Sequence, residues 1–335
     1  MKIQTRLFVD GQWVEGSSGE TIPVINPATG VALAEVQKAA PQDICAAIAA
    51  ARKAFDGTWG PMNPAERSTW LRKVGDAILQ NQEFLAQVEA DDVGKPIAES
   101  LNIDVASGGA TFHYFADICT EVTGALQPSP YNEVLDYTIH EPVGVVGAII
   151  PWNFPFLIAC RKIATALAAG NTIVIKPASW APLSTLLLGE VFREVGVPAG
   201  VLNIVPSSGP DAGEVFANSE DIHDVTFTGS TEIGSQLYSA CAPNLKACTL
   251  ELGGKSPGLV LPDCDMEETV AGTLFGVFLN QGECCCGLTR LIVHEDVYDQ
   301  FVPKFVSGAQ AIQVGMPRSE ETRMGTLIHP DHLKN

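Results

Sequence analysis

Long apolar runs, positive charge and regularly spaced cysteines are what this 335-residue chain has little of. No stretch reaches ~18 uninterrupted apolar residues, so no membrane-spanning helix is expected. Lysine and arginine total 20 against 39 aspartates and glutamates, a net charge of −19. That balance argues against DNA, RNA or an anionic membrane as partner. The opening residues, MKIQTRLFVDGQWVEG, hold no apolar core of a secretory signal. Nine cysteines lie at 45, 119, 160, 241, 248, 264, 284, 285 and 286. An odd, irregular set in a long chain does not make a disulfide framework, and the expectation is a reduced, cytoplasmic protein. Neither an internal repeat nor a low-complexity tract is visible. A hydrophobic content of 46% with 18% charged residues is that of an ordinary globular chain, and the length suits about two domains.

The pattern along the chain is mixed at first. LFV, Asp10-Gly11 and QWVEG read as a hairpin. Helical patterns follow over 41–55, 64–90 and 96–120, each with a proline near its start, and VLDYTI (134–139) reads as an exposed strand. Then the rhythm changes. VGVVGAII (143–150) is a continuous β-branched run, as a strand buried on both faces would be. A helix (155–169), NTIVIK (171–176), a helix (183–195), VLNIV (201–205), a helix (210–218), DVTFTG (224–229) and a helix (231–241) follow. Such alternation predicts a parallel sheet wound on both faces. A second unit begins after LELGGKSP (250–257), with a helix over 265–280 and the strand TRLIVH (289–294).

Five short motifs could carry chemistry. In FTGSTEIG (227–234) Ser230 can cap a helix whose free N–H groups would hold a pyrophosphate. Its glycines, Gly229 and Gly234, do not make the GxGxxG fingerprint, and an ordinary capped helix explains it equally well. Lys176 in IKPAS ends a strand, where ligands bind in open α/β sheets; a snorkelling surface lysine is the plainer explanation. PWNFP (151–155) holds Asn153 in a stiff turn, as an oxyanion donor or as a helix cap. Glu251 in LELGGKSP is a proton-transfer carboxylate or half of an ion pair. The run Cys284-Cys285-Cys286 lies between two glycines. Adjacent cysteines point apart and no His-x₃-His accompanies them, so a zinc site is disfavoured. A single nucleophilic thiol with its pKa lowered from ~8.5, or burial of all three, remains.

The order of these motifs resembles the aldehyde dehydrogenase superfamily over essentially the whole chain, VDGQWVEG and INPATG included. The resemblance implies an α/β fold: a Rossmann-like doubly wound parallel sheet, an incomplete α/β catalytic domain and a small oligomerisation β-arm. Residues 1–122 and 142–253 would form the cofactor-binding domain, 123–141 the arm and 254–335 the catalytic domain. It implies Cys285 as nucleophile, Glu251 as general base, and Asn153 with the Cys285 N–H as oxyanion donors. The cofactor, NAD or NADP, would be bordered by Ile150, Pro151, Trp152, Lys176, Ser179, Gly209, Gly229, Ser230, Ile233 and Leu252. The aldehyde would meet Phe154, Leu157, Arg161, Leu279, Cys284 and Cys286. The thiolate would add to the aldehyde, the adduct would lose hydride to the nicotinamide, and water activated by Glu251 would release the acid. No resident metal is implied, and the family implies a homodimer or homotetramer.

The chain departs from the family pattern in several places. Glu283 stands where Gln is common and would raise the Cys285 pKa. Gly287-Leu288 replaces a more usual Ala-Gly. Ser179 replaces a Glu that repels a 2′-phosphate in many NAD-specific members, so acceptance of NADP⁺ is expected. Arg161, on one helical stripe with Phe154, Leu157 and Ile158, stands where many relatives place an aromatic. It suits a hydroxy-aldehyde or acid semialdehyde, or a surface salt bridge. Relatives also continue past this sequence with a second ribose-binding segment and a strand that joins a partner subunit, so a C-terminally shortened member is expected. The acylating, coenzyme A-dependent branch is disfavoured by Glu251, and the rival of another class is a catalytically inactive cofactor-binding or structural fragment.

Overall fold

Asp10 and Gly11 both adopt positive φ, 48° and 73°. That geometry matches the twist of a two-residue hairpin and requires a residue like glycine at its second position. The turn joins β1 (Leu7–Val9) to β2 (Gln12–Val14). The computed structural model describes residues 1–334. A second hairpin, β3 (Thr21–Ile25) with β4 (Ala32–Gln37), was not anticipated from its short alternation. Its INPATG turn is held by Asn26 Oδ1, which accepts from the Ala28 and Thr29 N–H groups.

Five helices follow: α1 (Pro41–Ala54), α2 (Pro64–Gln80), α3 (Gln82–Val93), α4 (Ile97–Glu99) and α5 (Ala106–Ile118). Residues 64–90 do not form the single helix expected. The chain breaks at Asn81, φ −108° and ψ 17°, where the side-chain amide donates back to the Ala77 carbonyl at 2.8 Å and competes with the helical ladder. The exposed segment after α5 carries only a two-residue pair, β5 (Leu126–Gln127) with β6 (Asp136–Tyr137).

The alternating region forms as its β-branched runs predict: β7 (Val145–Ile149), α6 (Pro155–Ala168), β8 (Thr172–Lys176), α7 (Leu183–Val195), β9 (Leu202–Ile204), α8 (Asp211–Asn218), β10 (Asp224–Gly229), α9 (Thr231–Cys241) and β11 (Ala247–Leu252). Strands lie in the order β11-β10-β7-β8-β9-β1-β2. The first five are parallel, and β1 closes the edge antiparallel to β9. One apolar cluster joins α2, α3, α5, α6 and α7 to one face of the sheet; another joins α1, α8 and α9 to the opposite face. Thr172, Ile173, Val174 and Ile175 of β8 are accordingly buried, each apolar one contributing about 1.5–3 kcal/mol.

After β11 the chain builds a smaller layer from β12 (Pro257–Val260), α10 (Met266–Phe278), β13 (Arg290–Val293) and α11 (Glu295–Gln310). Val260, Val270, Val297 and Phe301 form its core. Helix α11 was not read from the sequence, since it carries Pro303 inside it. No helix among the described residues is long and apolar enough to cross a membrane.

Candidate active site

From β7 the chain steps one way to β8 and β9 and the other way to β10 and β11. This reversal leaves a crevice outside the carboxyl ends of β7 and β10. A cavity of about 690 Å³ lies there. It is lined by Ile150, Pro151 and Trp152 after β7, Lys176, Ser179 and Trp180 after β8, Gly209 and Glu214 before and on α8, and Gly229, Ser230 and Ile233 at the start of α9. A side chain at Gly229 would place its Cβ 2.5 Å from the tip of the Phe227 ring, which would have to shift to admit it. Ser230 caps α9, its hydroxyl accepting from the Ile233 N–H at 3.3 Å. Leu252 is the exception among the expected cofactor residues. It pairs with Gly229 across the strands, but its side chain packs towards Gly234 of α9 and is not part of the cavity wall.

Lys176 aims a polar group into this space. Burial pushes its amine down to about 8, and among the described residues no protein oxygen accepts from it. The amine, half-buried on the crevice wall, is free to donate to a ribose hydroxyl or phosphate. Together with the capped helix end, this chemistry fits a dinucleotide.

The cysteines follow a short helical turn at 279–282, in which Leu279 is half-buried and Asn280, Gln281 and Gly282 all take positive φ: 51°, 58° and 79°. For non-glycine residues this conformation costs about 1–2 kcal/mol each. Hydrogen bonds hold it in place. The Asn280 N–H donates to Glu99 Oε2 at 2.9 Å, and its amide donates to the Asn153 carbonyl at 2.9 Å. The Gln281 amide donates to the Thr326 carbonyl at 3.2 Å. Asn153 does not cap α6 in the expected way. Its oxygen accepts from the adjacent Phe154 N–H at 3.1 Å, and its amide donates to the Glu283 carbonyl at 2.8 Å. An amide carries two N–H groups, so one remains for a ligand.

Cys285 and Cys286 are exposed, Cys284 is half-buried, and the Cys284 and Cys286 sulfurs lie 3.4 Å apart. Two expectations are corrected here. The Cys285 thiol is pushed up rather than down, by burial first and then by Cys286; Cys284 is pushed up to about 11 by burial. Nor does Glu283 raise Cys285. Its carboxylate turns away from the thiols, where Oε1 accepts from the Ile328 N–H at 3.2 Å and pairs with His332 Nδ1 at 2.8 Å. Burial raises the Glu283 pKa itself.

Glu251 sits exposed on β11, the edge strand, opposite Thr228. One strand in, Lys162 of α6 donates to Thr226 Oγ1 at 2.6 Å. Burial pushes that lysine down to about 8, with the Glu251 and Asp224 carboxylates opposing the shift. Phe154 and Leu157 are buried, Phe154 beneath the Lys95 ammonium at 4.2 Å. Arg161 is exposed in a groove of about 500 Å³ between α5 and α6, beside Ser107, Ala110, Thr111, Tyr114, Phe115 and Thr165; no salt bridge engages it among the described residues. Lys162, Trp180, Glu99 and the α5 groove wall were missed from the sequence. Each lies in an ordinary-looking stretch of sequence, and only the fold brings Lys162 near Glu251, Trp180 to the crevice, Glu99 to the cysteine loop and α5 against Arg161. No cluster of three or more His, Cys, Asp or Glu among the described residues is placed to hold a metal.

A doubly wound α/β protein with a dinucleotide-sized crevice at its switch point, beside a braced cysteine loop, is the class these features define. The chain belongs to the aldehyde dehydrogenase family, whose family model matches residues 13–335. It is 45% identical to DhaS of Bacillus subtilis (strain 168) over 324 residues, 96% of this chain and 65% of that one. Among solved structures, an NAD⁺ complex of aldehyde dehydrogenase from Bacillus cereus matches with a TM-score of 0.96 and 42% identity, covering 99% of this chain and 67% of that one. An NADP-dependent enzyme of E. coli matches at 0.97 and 35%, covering 99% and 69%. The chain spans about 63–65% of the length of the curated relatives it matches.

Proposed function

We propose that the chain oxidises an aldehyde to a carboxylic acid with NAD⁺ or NADP⁺ through a thioester on Cys285. The observation that carries the reading is the Asn153–Glu283 hydrogen bond of 2.8 Å. It ties the PWNFP turn, which walls the crevice at Pro151 and Trp152, to the loop that presents Cys285. Lys176, Ser179, Gly209, Gly229 and Ser230 would hold the cofactor; when bound, it supplies the acceptor for a hydride. Cys285 adds to the carbonyl carbon, and the free Asn153 N–H with the Cys285 N–H steadies the developing oxyanion. Glu251, open to solvent, draws a proton from water, which then attacks the thioester.

The relatives resolved with NAD⁺ and named for NADP support either cofactor. Serine at 179 places no carboxylate against a 2′-phosphate, so both are accepted; a KM for NADP⁺ more than about a hundredfold above that for NAD⁺ would contradict this. Arg161 in its groove favours a polar or anionic aldehyde tail, such as an acid semialdehyde. Arg161→Leu should shift preference from succinic semialdehyde towards hexanal, and an unchanged ratio would refute it. Residues 1–122 and 142–253 serve as cofactor-binding domain, 254–335 as part of a catalytic domain, and 123–141 as a subunit-joining arm.

Turnover of propanal and succinic semialdehyde, with each cofactor separately and against Cys285→Ala, tests the activity. Loss of turnover in that variant alone is expected. Cofactor binding without turnover would instead support an inactive binding protein, a reading that the raised Cys285 pKa favours.

A further inference from the structure

The cysteine loop is braced from a direction that none of the proposed chemistry uses. Glu283 directly precedes the three cysteines, and its side chain is 1% exposed. Its backbone carbonyl receives the Asn153 amide at 2.8 Å and the Asn280 amide at 3.3 Å. Its carboxylate reaches the opposite way, to the Ile328 N–H and to His332. Where the carboxylate is ionised it only accepts, and His332 Nδ1–H is then the donor. The His332 ring in turn packs edge-on against Trp152, with centroids 4.9 Å apart. His329 stacks on Trp180 at 4.6 Å and 3°. Ile328 completes the contact with Val93, Ala181 and Trp152. Trp152 and Trp180 are both walls of the crevice.

One residue thus touches three parts of the site at once: the amide that would meet the oxyanion, the loop that carries the thiol, and the histidine strap against the crevice wall. The loop has reason to respond. Asn280 and Gln281 are held at positive φ, a conformation that persists only while surrounding bonds impose it. We propose that Glu283 is a positioning residue which, through its pair with His332, couples occupancy of the crevice to the orientation of Cys285 and Asn153. A ligand that presses on or orders Trp152 shifts His332, and with it the carboxylate that anchors the loop. The coupling rests on the reading of the crevice as the cofactor site and of Cys285 as the nucleophile.

The test uses the full chain and does not depend on turnover. The rate of Cys285 alkylation by iodoacetamide is read on its peptide by mass spectrometry, with and without saturating NAD⁺. NAD⁺ binding is followed separately by quenching of tryptophan fluorescence. In the unaltered chain NAD⁺ should change the alkylation rate by about fivefold or more, the usual scale of a coupling between sites. Glu283→Ala and His332→Ala should bring that ratio to within about twofold of unity while NAD⁺ still binds. Glu283→Gln, which keeps an oxygen for the Ile328 N–H, should retain most of it. A part that merely supports the fold would lower the melting temperature and leave the ratio alone. His332 is partly exposed, so its variant remains informative if Glu283→Ala does not fold. An unchanged ratio in His332→Ala, with NAD⁺ bound, overturns the coupling and leaves the cofactor reading intact. Absence of quenching in the unaltered chain overturns both.

Discussion

Single residues set the chemistry proposed here, and two of them carry predictions of their own. Replacing Glu251 by Gln removes the base but leaves Cys285 and Asn153 in place. The variant should form the thioester and stall, so steady turnover falls by about 10²–10⁴ while a first equivalent of reduced cofactor still forms. Rapid-mixing absorbance measures both. Lys176 gives a pH signature. Its folded amine titrates near about 8, against an ordinary value of 10.5, so it is cationic below that pH and neutral above it. Affinity for NADP⁺ relative to NAD⁺ should therefore fall as pH rises through about 8, since the 2′-phosphate loses a cationic partner. The same shift works against the folded chain. As pH falls from 10.5 to about 8, the unfolded amine gains a proton that the folded one refuses, and stability is lost. Lys176→Met should then melt a few degrees higher near neutral pH, with the gain gone above the ordinary lysine range. Calorimetry across that interval checks the sign. Cys285, Glu251 and Asn153 were legible as candidates because their surroundings in sequence were unusual. The direction of the thiol shift was not, because it depends on burial and on which way Cys286 points.

Elements came through the sequence in proportion to how rich they are in β-branched and other apolar residues. Strands β7 and β8, each buried over four successive residues, and β10, buried at Val225 and Phe227, formed within two residues of expectation at either end. The α2–α3 break was hidden, because Asn81 tolerates a helix and only its back-bond to Ala77 shows that it ends one. The close packing of α5 was hidden as well. A Cβ at Gly108 would lie 2.8 Å from the Phe156 ring and 3.1 Å from the Cys160 sulfur, both buried in α6. Gly108→Ala gains helix propensity, about 1 kcal/mol, yet should destabilise the chain by about 1–3 kcal/mol through overpacking. A higher melting temperature in this variant would mean that α5 and α6 can part without penalty.

At the scale of the whole molecule, apolar surface is concentrated on the segment that holds β5 and β6. Leu126, Leu135, Tyr137 and Ile139 are 61–71% exposed there. A patch of this kind marks a contact surface, and a second copy of the chain is the occupant proposed for it. Sedimentation should give a mass above that of one chain, reduced by Leu135→Asp with Ile139→Asp; an unchanged mass in that variant would place the contact elsewhere. The sequence pattern also located the parallel sheet. It could not place the crevice wall formed by Trp180, which meets Trp152 only once β7 and β8 lie side by side.

One experiment bears most directly on the proposal that crevice and cysteine loop form a single reacting site. The full chain carrying Glu251→Gln is mixed with succinic semialdehyde and NAD⁺, then quenched for peptide mass spectrometry. One equivalent of reduced cofactor together with an acyl group on the Cys285 peptide is the expected result. Bound cofactor with neither reduction nor acylation of Cys285 would contradict it.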